Sequence, residues 1–125
     1  HPIDSEQVND YLRDATAGNF TAKDFRTFGG TVQAAAILAR TPIPDAGENA
    51  QRSALACAVK QVATRLGNTP AVCRNSYIHP DVPTGWLCGH LHAAIPESAA
   101  VHPRQIERHT LDFLRSEARH RARAR

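Results

Sequence analysis

The sequence predicts an all-α protein, mainly α from end to end, and three observations carry that prediction. Apolar residues recur at three- and four-residue spacing, no stretch alternates convincingly at a period of two, and helix-starting and helix-stopping residues flank the periodic segments. Four or five helices can be read. A chain of 125 residues with 42% hydrophobic and 22% charged content is long enough for one domain with an ordinary core.

The first helix follows Asp4 or Ser5 as N-cap, carries Val8, Tyr11, Leu12 and Ala15 on one face, and stops at Gly18. Tyr11 lies on that apolar face, which gives it a packing role. The second starts at Thr21, with Asp24 three residues later near the positive helix end. Phe25, Phe28, Val32 and Ala35 or Ala36 form its buried stripe. It runs toward Arg40 and ends in the connector Thr41-Pro42-Ile43-Pro44-Asp45-Ala46-Gly47. Gly29-Gly30 inside it costs about 1 kcal/mol per glycine relative to alanine. Close packing explains such a pair better than a phosphate cradle, because no P-loop pattern follows.

The third helix runs from about Glu48 to Leu66, with Leu55, Val59, Val62, Ala63 and Leu66 on one face and Gly67 as its stop. Thr69-Pro70 then reads as an N-cap followed by proline at the first helical position, opening a short helix that ends near Tyr77. Residues 78–103 hold Pro80, Pro83, Pro96 and Pro103 together with most of the histidines, and read as an irregular connector. A final helix from about Pro103 turns Ile106, Thr110, Phe113 and Leu114 inward before dissolving into an arginine-rich tail.

The longest apolar run, Ala34 to Ala39, is far too short to span a bilayer, so no membrane partner is expected. No basic-then-apolar leader is visible, and nothing argues for secretion. Cys57, Cys73 and Cys88 form no CxxC pair, which favours a reducing, cytoplasmic interior over a disulfide framework. The chain begins with His1, the expectation for a processed protein or an excerpt of a longer one.

Charge is uneven. Residues 1–103 hold 8 Lys/Arg against 9 Asp/Glu, whereas residues 104–125 hold 7 Arg against 3 acids, a local net of +4. Such a segment can attract a phosphate backbone without reading sequence; it can equally be a solvated helix end.

One stretch offers chemistry. Asn68 and Tyr77 bracket the short capped helix, and Lys23 and Arg26 stand one turn apart near the start of the second helix. A phenol has an ordinary pKa of about 10 and is a poor nucleophile at neutral pH. To cut a phosphodiester it must lie in line with the leaving oxygen, with the nonbridging oxygens balanced by cations or neutral donors. A guanidinium, an ammonium, an amide and a phenol are available here. Each also has an ordinary reading: surface charge for Lys23 and Arg26, helix end for Asn68, half-buried aromatic for Tyr77. Arg74, on the short helix, can reach backbone phosphate or serve as an exposed helix charge.

Thr21-Ala22-Lys23-Asp24-Phe25-Arg26-Thr27-Phe28-Gly29-Gly30-Thr31 and Leu66-Gly67-Asn68-Thr69-Pro70-Ala71-Val72-Cys73-Arg74-Asn75-Ser76-Tyr77-Ile78-His79-Pro80 closely resemble the two C-terminal catalytic blocks of bacterial, poxvirus-like type IB DNA topoisomerases, relatives of the tyrosine recombinases. Val8-Asn9-Asp10-Tyr11-Leu12-Arg13 resembles the family's preceding helix, so the likeness covers roughly residues 4–82. It implies relaxation of supercoiled duplex DNA through a transient 3′-phosphotyrosyl nick, without metal, ATP or other cofactor, in the bacterial cytoplasm at the nucleoid. By resemblance Tyr77 is the nucleophile, Arg26 holds the nonbridging oxygens, and Asn68 stands at the His-or-Asn position that donates to the same phosphate. Lys23 matches the lysine of the Lys-Asp-x-Arg element and contacts the phosphate.

The family also uses an earlier arginine and a general-acid lysine, both upstream of the first block. Only 22 residues precede Lys23, and Lys60, the only other lysine, matches neither role. The chain therefore reads as three parts: residues 1–80 as the C-terminal part of the catalytic domain, 81–103 as connector, and 104–125 as a helix with a basic tail. Its partners would be duplex DNA and the missing N-terminal part of the same enzyme, and alone it would be inactive. Asp81-Val82-Pro83-Thr84-Gly85-Trp86 departs from the family's regular helix after the tyrosine.

Two other readings stand beside this one: a tyrosine recombinase, and an inactive remnant or DNA-binding module. Recombinases usually carry His-x-x-Arg and Leu-Gly-His where this chain has Lys23-x-x-Arg26 and Leu66-Gly67-Asn68. Cys88-Gly89-His90-Leu91-His92 lacks a fourth ligand at zinc spacing and reads as structural, as does Cys73 within the second block.

Overall fold

Helix α1 (Ala22–Ala39) is the axis on which most of the described elements pack. The computed structural model describes residues 22–124, with the backbone alone for 22–26 and 124. After α1 come α2 (Glu48–Leu66), α3 (Pro70–Ser76), α4 (Asp81–Cys88), α5 (His90–Ala94), a 3₁₀ turn (Ala99–Val101) and α6 (Pro103–Ala124). No strand occurs among the described residues, in agreement with the all-α expectation. The expected helix over residues 4–18 lies outside them, as does the Thr21 cap.

α1 packs against α2, α4, α5, the 3₁₀ turn and α6. Its burial is correspondingly broader than the single predicted stripe. Phe28, Thr31, Ala34, Ala35, Ile37, Leu38 and Ala39 are buried, while Val32 is only half-buried. A helix covered on several sides needs apolar or small residues nearly all round, which the run Ala34–Ala39 supplies.

The capping signals fold as read. Gly67 ends α2 in the left-handed conformation at φ 71°, the backbone that glycine adopts without steric cost. Thr69 caps α3 by accepting from the Val72 amide at 3.3 Å, with Pro70 behind it in the first turn. The buried face of α2 is Leu55, Ala58, Val59, Val62 and Ala63.

Two expectations are corrected. Residues 81–103 are not irregular: they form α4, α5 and the 3₁₀ turn. Pro83 is the third residue of α4, within the first four positions whose N–H groups have no intrahelical partner, so its missing donor costs the helix nothing. Tertiary packing then fixes the helix. Trp86 is fully buried and its indole N–H donates to the Thr41 carbonyl at 2.9 Å, while Gly85 leaves room for the tip of the Phe113 ring, which a β-carbon there would overlap. A buried aromatic of this size removes about 150–250 Å² from water, worth about 4–6 kcal/mol at most.

The second correction concerns the tail. α6 does not dissolve after Leu114 but continues to Ala124. Ile106, Thr110, Leu111, Phe113 and Leu114 bury its inner face. Beyond them Arg121 grips Asp81 through both carboxylate oxygens at 2.6 and 2.7 Å, which holds the last turns against the start of α4.

Candidate active site

The segment that carries Tyr77 is clasped to α1 at three successive points. Thr27 Oγ1 donates to the Ser76 carbonyl at 3.0 Å. Gly30 lies directly against the Tyr77 backbone, where a β-carbon would overlap the Tyr77 carbonyl oxygen. Thr31, 1% exposed, accepts the His79 amide at 2.9 Å on its hydroxyl, which itself donates to the Thr27 carbonyl at 2.6 Å. Thr27, Gly30 and Thr31 share one helix face by their three- and four-residue spacing.

Tyr77 closes α3, its amide donating to the Cys73 carbonyl at 2.8 Å, and its side chain is half-buried. Cys73, one turn earlier, is fully buried, and burial pushes that thiol's pKa up, which suits packing and not nucleophilic chemistry. Ile78, 5% exposed, anchors the next residue in the core. The phenol therefore hangs from a backbone fixed before and after it.

Asn68 follows Gly67 at the other end of α3, half-buried, with its amide nitrogen 3.4 Å from the Leu66 carbonyl. A seven-residue α3 is about 10 Å long, so Asn68 and Tyr77 flank its two ends. Lys23 and Arg26 lie in the first turns of α1, and their side chains are outside the described residues. Their backbone positions are one turn before Thr27 and Gly30, in the same helical rows that meet the Tyr77 segment. Arg74 is exposed on α3 and borders a surface groove with Asn75, Ile78, Pro80, Pro83 and Thr84.

Beyond Tyr77 the chain is set by ionisable groups that the sequence reading did not single out. His79 Nδ1 accepts the Asp81 amide at 3.0 Å. Burial lowers its pKa first, the Asp81 carboxylate raises it and the Arg121 guanidinium lowers it again, with a net lowering that favours the neutral ring. The proton of that neutral ring then sits on Nε2. Thr27 and Thr31 left a faint signal, two hydroxyls at i and i+4 beside a double glycine; the Asp81–Arg121 pair, 40 residues apart, left none.

The histidines of the Cys-x-His-x-His stretch point to different partners. His92 Nε2 lies 2.9 Å from the Thr41 carbonyl and 3.1 Å from that of Leu38, so it acts as a donor at the end of α1. His90 Nδ1 is 3.1 Å from Glu117 Oε1 on α6. Among the described residues no group of three His, Cys, Asp or Glu side chains is placed to hold a metal ion. No described helix is long and apolar enough to cross a membrane.

No curated protein matches the chain. The family described as "Eukaryotic DNA topoisomerase I, catalytic core" matches residues 1–82, about two thirds of the sequence, ending just after the segment that Thr27, Gly30 and Thr31 hold in place. The chain therefore belongs to the type I DNA topoisomerase family of that catalytic core, the type IB enzymes.

Proposed function

We propose that Tyr77 is the nucleophile of a type IB topoisomerase of the bacterial, poxvirus-like kind. The observation that supports this best is the clasp: three contacts from α1 fix the backbone of residues 76–79, so the phenol enters the site from a rigid support. A nucleophile that must reach in-line geometry benefits from such preorganisation.

In the reaction the Tyr77 Oη attacks the scissile phosphorus. The O–P bond of a 3′-phosphotyrosine forms as the bond to the 5′-oxygen breaks, and the phenolic proton leaves to solvent or a base. The departing 5′-oxygen takes a proton from a general acid. Resealing is the reverse, with the 5′-hydroxyl as nucleophile, so no bond energy is lost and no cofactor is needed. Arg26 and Asn68 stabilise the charge on the nonbridging oxygens, the arginine as a cation and the amide as a neutral donor. Lys23 adds a second cation on the same helix, and Arg74 contacts backbone phosphate. The remaining arginine and the general-acid lysine come from an N-terminal part of the same enzyme.

A nicked duplex whose short leaving strand diffuses away traps the covalent state. Incubated with the chain and an N-terminal half from a related enzyme, it should become attached to the wild-type protein and not to Tyr77→Phe. Joining of strands from two distinct sites in the same assay would instead assign the chain to the recombinases.

A further inference from the structure

We infer that the outer face of α6 is a second docking surface for duplex DNA, separate from the Tyr77 site and made by a stripe of arginines. At about 100° per residue, Arg104, Arg108, Arg115, Arg119 and Arg123 fall within about one quarter to one third of the helix circumference, and Asp112 is the one acid among them. Arg104, Arg108, Arg119 and Arg123 are exposed. The opposite face, with Ile106, Phe113 and Leu114, is buried in the core. The stripe lies wholly outside the family-matched residues 1–82.

Helix stability does not account for it. Arginine in the last turn complements the negative end of the helix dipole, which covers Arg121 and Arg123. Arg104 sits in the first turn, at the positive end, where a cation is unfavourable, and Arg108 lies one turn further on, where the dipole offers it no stabilisation; both still belong to the stripe. A membrane surface is the other polyanion that a basic amphipathic helix can meet. Here the apolar face that would enter the lipid is already used in the fold, so only charge remains for a partner. A rigid line of cations about 28 Å long (19 residues at 1.5 Å) matches about eight base pairs of duplex backbone. The Arg121–Asp81 pair holds the C-terminal end of that line beside the start of α4, four residues past Tyr77.

The inference rests on duplex DNA as the partner of this protein, and the test separates it from the role of Tyr77. Binding of the full chain to a 20-base-pair duplex is measured by fluorescence anisotropy across a series of salt concentrations. Three variants are compared with the wild type: Arg104, Arg108, Arg119 and Arg123 all changed to Gln, the same four changed to Lys, and Tyr77→Phe. Four phosphate contacts predict a fall of about 3–4 in the slope of log affinity against log salt for the Gln variant. The Lys variant and Tyr77→Phe should keep the wild-type slope. An unchanged slope in the Gln variant overturns the docking surface while leaving the adduct chemistry of Tyr77 untouched. So does a Gln variant that loses binding to phosphatidylserine vesicles but keeps its duplex slope. A lowered slope in a chain that forms no adduct leaves the surface standing without the Tyr77 assignment.

Discussion

Gly30 of α1 touches the carbonyl of Tyr77 so closely that no side chain fits between them. The contact joins residues 47 apart in sequence, and it sets how deeply the Tyr77 segment seats against the helix that also carries Lys23 and Arg26. Its neighbour Gly29 faces open space. The two glycines thus have opposite roles in one helix turn.

Substitution separates them. Gly30→Ala forces the β-carbon into the Tyr77 backbone, and overpacking of this kind costs about 1–3 kcal/mol. Gly29→Ala meets nothing and should gain about 0.5–1 kcal/mol from helix propensity. Urea unfolding midpoints of the two variants should move in opposite directions, and adduct formation should fall only for Gly30→Ala.

Thr31→Val keeps the shape of a fully buried side chain and removes the hydroxyl that accepts the His79 amide. An unsatisfied buried donor costs about 1–3 kcal/mol. Exchange of the His79 amide with deuterium should accelerate in that variant by more than that of amides in the middle of α2. Equal acceleration throughout would mean that the clasp does not hold this segment locally.

His79 gives the fold a defined pH dependence. Its folded pKa lies below that of an unfolded histidine, about 6.5, chiefly because burial disfavours the charged ring. The unfolded chain therefore binds the proton first as pH falls. The stability contributed by the neutral ring is complete above about pH 6.5 and is lost as pH drops from there through the folded pKa. His79→Asn retains an acceptor for the Asp81 amide and removes the titration, so its urea midpoint should fall less between pH 7.5 and 5.5 than that of the wild type.

The ion pair behind His79 tunes the same proton. Arg121→Gln removes a cation that lowers the His79 pKa, and Asp81→Asn removes an anion that raises it. NMR titration should place the His79 pKa higher in the first variant and lower in the second. With Arg121 half-exposed, loss of the pair itself should cost only about 1 kcal/mol or less, and less still at high salt.

Local capping was legible in the sequence and long-range closure was not. Gly67, Thr69 and Pro70 announced the ends of α2 and α3, because capping depends on residues within one turn. Pro83 misled, since a proline breaks a helix interior but is harmless in the first turn, and only the seating of Trp86 against Thr41 shows which applies. The family blocks named Tyr77, Asn68, Lys23 and Arg26. They did not show that Thr27, Gly30 and Thr31 support the tyrosine, because those contacts join parts of the chain 47 to 49 residues apart. The tail misread has a similar cause: α6 persists past Leu114 with Arg121 bound to Asp81, a partner on another helix.

The most direct measurement is the mass of the tryptic peptide that carries the trapped DNA. The chain, joined by an N-terminal half from a related enzyme, is reacted with a nicked duplex, digested with nuclease and trypsin, and sequenced by mass spectrometry. A nucleotide attached through a 3′-phosphate to Tyr77 is expected on the peptide Asn75–Arg104, and none in Tyr77→Phe. A nucleotide on any other residue, or an adduct that survives Tyr77→Phe, would contradict this expectation.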